Sequence, residues 1–402
     1  MLSKRYSDML SRKDIIFEIA GYGRRRAQEI GPENVFDFSL GNPSVDAPPC
    51  VDETIRNVLA QHPALEVHGY GPGQGILSVR QAVARSLSRR FSMDYGPEHI
   101  FMTAGAAGAL AHALRAVTQP GDELILFAPF FSEYFPYAEG AGLTPKIVPP
   151  DTAAFQIDFS ALEQLLNPKV TAVLINSPNN PTGAVLSTQT LKRLAALLEE
   201  RQQQYHHPIY LISDEPYREI LYPEADCPYT ASLYDNTITC YSFSKSLSLP
   251  GERIGYLAVC PKAEEAERII ELCPQISRTI GHNGAATLMQ HTVAKCLEET
   301  SDLTVYQHNR DRLYQALTEY GYSCIKPDGT FYMFPQSLED DAYAFCARAQ
   351  ELDLLFVPGD VFGCPGHFRI AYCVPEEKVI RALPRLKQLA EMYQKRQACV
   401  DP

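Results

Sequence analysis

The apolar positions in the middle of the chain fall into short runs that alternate with stretches of helical periodicity. The runs at 123–127, 171–176, 209–213, 237–241 and 254–259 are too short for helices and are bounded by polar, Gly or Pro residues, so each predicts a strand. Between them, LKRLAALLEERQQ at 191–203 spaces its leucines as a helix does, and GALAHALRAV at 108–117 predicts a buried helix behind a Gly-rich turn. This alternation predicts βα units wound about a mostly parallel sheet, an α/β fold. From about residue 290 the pattern changes to a long helical stretch, PDGTFYMFP at 327–335, LLFVPGDVFG at 354–363, a strand at 367–373 and an amphipathic helix from about 375 to 397. The expected division is a large domain over 46–290 and a smaller α+β domain made of 291–402 with 1–45, which lack strong strand alternation.

At 402 residues the chain is long enough to bury a large core, and 45% hydrophobic with 21% charged residues is a globular composition. Its net charge of -12 repels phosphate backbones, which argues against broad nucleic-acid binding. Arg24, Arg25 and Arg26 accordingly read as a solvated helix face. The 11 cysteines are odd in number and contain no C-x-x-C pair, a pattern that disfavours a disulfide framework or a zinc site and fits a reducing cytoplasm. No apolar run has the length of a signal-peptide core at the N-terminus or of a membrane span elsewhere, so a soluble protein is expected.

In open parallel sheets, ligands collect at the carboxyl ends of the strands. Here the predicted strands run into APFF, NSPNNPTG, DEPY and SFSKS, and chemistry is expected in those tails. Common signatures are missing. IYLISDE at 209–215 could carry magnesium as a Walker-B strand, but no G-x-x-x-x-G-K-[ST] loop exists to accompany it. The glycines of HGYGPGQG at 68–75 do not fall as G-x-G-x-x-G, and neither H-E-x-x-H nor G-x-S-x-G occurs.

What remains is a group of residues that make sense together. In SFSKSLSLPGERIG at 242–255, Lys245 follows Ser242 and Ser244, and Arg253 comes eight positions later. A lysine in such a place can simply run its stem along apolar surface, but two hydroxyls and a guanidinium are what a phosphate dianion requires. TAGAAGAL at 103–110 is a second phosphate element. It turns into a helix whose free N–H groups at Gly105, Ala106 and Ala107 favour an anion, although a plain strand–helix turn would look the same. A lysine beside a phosphate cup points to pyridoxal 5'-phosphate, whose aldehyde condenses with an amine while its phosphate anchors it. That cofactor needs a carboxylate near its ring nitrogen, for which Asp214 at a strand end is the candidate, a helix cap or turn being its other reading. Tyr217 and Asn180 can both hydrogen-bond the ring's phenolate oxygen.

In this order, NNPTG at 179–183, DEPY at 214–217, SFSKSLSLPGERIG and FRIAY at 368–372 resemble the class I/II aminotransferases of the fold-type I pyridoxal-phosphate-dependent enzymes. The resemblance extends over nearly the whole chain, from IFEIAGYGRRRAQE at 16–29 and SLGNP at 39–43 to the final helix. It implies a large domain with a mostly parallel sheet flanked by helices, plus a smaller α+β domain that closes over substrate. It also implies that Lys245 forms the Schiff base and moves the proton between Cα and C4′, and that Asp214 partners the ring nitrogen with Asn180 and Tyr217 on the ring oxygen. Ser242, Ser244, Arg253 and the backbone around Gly105, Ala106 and Ala107 would hold the phosphate, Ala107 standing where many relatives carry a hydroxyl. Phe131 of APFFSEY would stack on the ring. Tyr70 would reach across a homodimer interface to the neighbouring phosphate. Arg369 would grip the substrate α-carboxylate with a bidentate fork, helped by Asn180 and the Gly41 backbone.

The resulting expectation is a cytoplasmic, homodimeric aminotransferase that moves an amino group from an L-amino acid to a 2-oxo acid, binding no nucleic acid, membrane or metal. Two alternatives share the fold: a C–S β-lyase of the cystathionine type, which keeps the same residue set, and a non-enzymatic cofactor-sensing domain. The sequence does not name the substrate. Arg278 in QISRTIGHN is a candidate for a distal carboxylate, and the aromatic stretch FFSEYFPY would suit apolar side chains equally well.

Overall fold

The computed structural model describes residues 2–10 and 14–400 and divides into two compact units. One comprises Val45–Leu303 with Asp328–Thr330, and the other Met1–Ser44, Thr304–Pro327 and Phe331–Pro402. The sequence pattern put the later boundary at 290/291, whereas the helix Thr287–Val293 crosses that point and its unit continues to Leu303.

The first unit is built on a seven-stranded sheet. In chain order its strands are β1 Ile100–Thr103, β2 Glu123–Phe127, β3 Thr144–Val148, β4 Val170–Asn176, β5 Tyr210–Asp214, β6 Thr237–Ser242 and β7 Gly255–Val259. Across the sheet they run β1-β7-β6-β5-β4-β2-β3, and all are parallel except β7, which is antiparallel to both of its neighbours. The central strands are near-continuous apolar runs because both of their faces are covered. Leu124, Leu126, Leu174 and Ile212 share one core with Ala109, Leu110 and Ala113 of the helix Gly105–Val117. The alternate positions Ile125, Val173, Ile175 and Leu211 share a second core with Leu191, Leu194 and Leu198 of the helix Thr188–Tyr205. Ser187 starts that helix by accepting the Thr190 N–H at 3.1 Å.

Two strands, β1 and β3, were not legible in the pattern. Both lie at sheet edges, β1 is only four residues long, and β3 carries Pro145, which an edge position tolerates because no ladder N–H is demanded of it.

In the second unit, Phe36–Asp37 pairs in parallel with Leu354–Leu355. Val357–Pro358, Phe368–Ala371 and Tyr332–Met333 form a three-stranded antiparallel sheet. The long helices Ile15–Ile30, Thr304–Glu319 and Glu376–Val400 belong to this unit. Among the described residues no helix is long and apolar enough to cross a membrane.

Candidate active site

Strand register brings most of the predicted residues of the first unit to one end of its strands. Asn176 pairs with Asp214, Asp214 with Cys240, Ser242 with Gly255, and Gly255 with Thr103. The carboxyl ends of β1, β4, β5 and β6 and the amino end of the reversed β7 are therefore level, and their loops leave on the same side.

The phosphate-type elements meet there. Ser242 and Ser244 join hydroxyls at 2.7 Å, and Ser244 N–H donates to Ser242 Oγ at 3.2 Å. Gly105 opens the helix Gly105–Val117 behind Ala104, which supplies no side-chain cap to the first-turn donors of Gly105, Ala106 and Ala107. Gly105 has φ +75°, and a Cβ on it would lie 3.2 Å from an Arg253 guanidinium nitrogen and 3.5 Å from Ser242 Oγ. That bare face is the floor of a cradle walled by a cation and a hydroxyl. Arg253 itself is held at φ +50° and donates to Pro250 O at 2.9 Å, which leaves the remainder of its guanidinium facing the cradle.

A second centre forms around Asp214. Its Oδ2 accepts the Tyr134 hydroxyl at 2.7 Å, while its Oδ1 is buried with no hydrogen-bond partner among the described residues. Burial pushes this carboxyl from 3.8 up to about 7, the Tyr134 bond opposing and the neighbouring Glu215 adding to the rise. Burial also holds the Tyr134 phenol well above its ordinary range, so it remains a donor. Asn176 ties the centre to the next loop: its Nδ2 donates to Asp214 O at 2.8 Å and its Oδ1 accepts Asn180 N–H at 2.7 Å. Asn180 and Tyr217 are buried beside these strand ends. Phe131 packs edge-on against Tyr134 with ring centroids 5.7 Å apart. Lys245 sits half-buried in the short helix Phe243–Ser246, one residue after Ser244.

In the other unit the structure brings Arg369 and Gly41 to one tyrosine. The buried Arg369 guanidinium lies 4.7 Å from the Tyr332 ring centre and 4.8 Å from that of Phe362, and it donates to Ser39 O. A Cβ on Gly41 would fall 1.8 Å from Tyr332 Oη, so any larger residue there would have to displace the tyrosine ring. Tyr70 and Arg278 stand apart from the Asp214 and phosphate-cradle groups. Tyr70 is fully exposed, and both residues line a cleft of about 360 Å³ with Gly69–Gly73 and the loop after the helix Ala266–Ile280. Arg278 there donates to Gln275 at 3.1 Å.

Three residues with evident structural parts were not singled out by the sequence. Tyr134 lies within APFFSEY, Asn176 closes β4 and Tyr332 lies in the TFYMF run, so only their place in a strand tail or motif signalled them.

The profile of the family described as aminotransferase class I and II matches residues 33–386. Aspartate aminotransferase of Thermotoga maritima is 32% identical over 367 residues, 88% of this chain and 91% of that protein. A probable aspartate/prephenate aminotransferase of Aquifex aeolicus is 31% identical over 89% of this chain and 91% of its own length. Among solved structures, an aminotransferase of Eubacterium rectale superposes with a TM-score of 0.95 at 43% identity, covering 98% of this chain and 99% of that one. Aspartate aminotransferase of Thermus thermophilus with maleate gives 0.84 at 27% identity, covering 97% and 99%.

Proposed function

The chain belongs to the class I and II aminotransferases and is a pyridoxal-phosphate-dependent enzyme of that kind, and from this premise we propose which of its residues do the work. The observation that carries the assignment is the unpartnered Oδ1 of buried Asp214, on the same sheet edge as a cradle walled by Arg253 and Ser242. Those two features fit a ligand with a protonated ring nitrogen at one end and a phosphate at the other.

Pyridoxal phosphate, when bound, supplies an aldehyde carbon that amines join and a ring that takes up the electron pair left when the substrate Cα loses its proton. Asp214 Oδ1 would accept the ring N–H, and the positive charge brought to it would favour the ionised carboxylate. Tyr134 fixes the carboxylate from the other side. Asn180 and Tyr217 donate to the ring oxygen, and Phe131 covers a ring face. Arg253, Ser242, Ser244 and the amides of Gly105, Ala106 and Ala107 bind the phosphate. Ala107 brings no hydroxyl, so the arginine and the helix end carry more of that interaction. Lys245 Nζ would be the amine that holds the cofactor aldehyde, and its free form would take and return the substrate Cα proton. Arg369 grips the α-carboxylate with Asn180 and the Gly41 backbone, orienting the Cα–H bond for removal.

The working form we propose is a cytoplasmic homodimer, with Tyr70 serving the phosphate site of the partner subunit. The ten cysteines among the described residues are free thiols, which suits a reducing compartment, and a fully exposed tyrosine on a Gly/Pro-rich segment suits a contact with a second copy. Aspartate, which names the Thermotoga relative, is the first donor to try. The test is a panel of amino acids with 2-oxoglutarate, scored by the 2-oxo acid and glutamate formed. Net transfer is the expected result, whereas pyruvate and ammonia from cystathionine without transfer would assign the site to elimination instead.

A further inference from the structure

Away from these residues, His62, Glu66 and His291 form a cluster that the reaction does not use. His62 follows the helix Pro49–Gln61, and Glu66 lies on the next helix, Ala64–His68. His62 Nδ1 and Glu66 Oε1 are 3.0 Å apart, an ordinary i,i+4 contact taken alone. His291, on the helix Thr287–Val293, changes that reading. Its ring centre is 4.7 Å from that of His62, and its Nε2 is buried with no hydrogen-bond partner among the described residues. One ligand atom from each of the three residues lies within 4.8 Å of the other two.

We propose that His62, Glu66 and His291 bind a divalent first-row cation, Zn²⁺ in preference to Mg²⁺ or Ca²⁺, as a site that clasps the segment 62–66 to the helix Thr287–Val293. Two imidazoles and one carboxylate are a zinc-type ligand set, with water as the fourth ligand, and they offer too few oxygens for the hard cations. Tetrahedral zinc spaces its ligand atoms by roughly 3.4 Å, so modest rotations of half-buried or exposed side chains complete the geometry. The ion satisfies the buried His291 nitrogen, which no group among the described residues does. The clasp also holds the base of the segment carrying Tyr70, where Thr287 already donates to Gly69 O at 3.2 Å.

The experiment is titration calorimetry of chelator-treated, cofactor-loaded protein with Zn²⁺ alone, repeated for His291→Ala, His62→Gln and Glu66→Gln. Cofactor absorbance and circular dichroism verify that each variant is folded. The expected result is one saturable Zn²⁺ per chain whose affinity falls at least about tenfold in each variant. Failure of the wild type to bind, or binding unchanged in the variants, would overturn the site. Should His291→Ala misfold, the exposed Glu66→Gln decides alone. Co²⁺ gives an independent reading: four-coordinate d–d bands are expected in the wild type and not in His62→Gln, and equal spectra refute the assignment.

Discussion

Asp214 shows how one buried side chain links stability to pH. Its carboxyl sits at about 7 in the fold against 3.8 in the ordinary state, and the main cause is burial. Because the folded value is the higher one, the cofactor-free fold binds the extra proton. That increment of stability is whole below about pH 3.8 and is lost as pH rises through about 7, a difference on the order of 4 kcal/mol for a fully buried group. Cofactor-free protein should therefore unfold at lower urea concentration at about pH 8 than at about pH 5, and Asp214→Asn should flatten that slope. Equal slopes in the two proteins would show that another group sets it. Lys245 offers a sharper test, since it is both anchor and base in the assignment. Lys245→Ala should lose the visible cofactor absorption and about a thousandfold or more in turnover; a yellow, active variant would remove this residue from the chemistry. Tyr134 explains why residue-level legibility was uneven. A lysine between serines announces itself, whereas a tyrosine matters here only because folding places its hydroxyl on a carboxylate 80 positions away.

At the scale of elements, strands buried on both faces declared themselves as apolar runs, and β2, β4, β5, β6 and β7 follow those runs closely. Edge strands did not, because an edge can carry Pro145 and Lys146 without losing its ladder. The helix Gly105–Val117 was legible as a helix, but its use depends on a turn conformation that a string of small residues only hints at. That turn is testable. Gly105→Ala puts a methyl 3.2 Å from the Arg253 guanidinium at a backbone φ of +75°, so it should cost about 1–2 kcal/mol of stability and also weaken cofactor binding about tenfold. Gly121 has φ +99° with nothing within 4 Å of its would-be Cβ. Gly121→Ala should therefore bring a comparable backbone penalty and leave cofactor affinity alone. Dialysis-measured affinities that fall equally in both variants would mean that strain, and not the cradle, governs retention.

The residues proposed for the chemistry are shared between two compact units: Lys245, Asp214 and Arg253 in one, Gly41 and Arg369 in the other. Fragments far apart in sequence build the second unit: Phe36–Asp37 pairs with Leu354–Leu355, and Gly41 and Arg369 both lie against Tyr332. No local pattern announces that pairing, so the SLGNP and FRIAY motifs could be read only one at a time. Tyr70 raises the scale once more. It is fully exposed on its own chain, which suits the proposed role on a second chain. Two inactive variants can settle this. A chain with Tyr70→Ala keeps its own Lys245, and a chain with Lys245→Ala keeps its own Tyr70. If tyrosine serves the partner subunit, each mixed dimer rebuilds one intact site, and equal mixing should restore about a quarter of wild-type activity. If tyrosine serves its own chain, every site in the mixture lacks one residue or the other, and activity should stay at the level of the separate variants. Activity measured after co-refolding the two chains, against the same chains refolded apart, distinguishes the cases without any assumption about which amino acid the enzyme prefers.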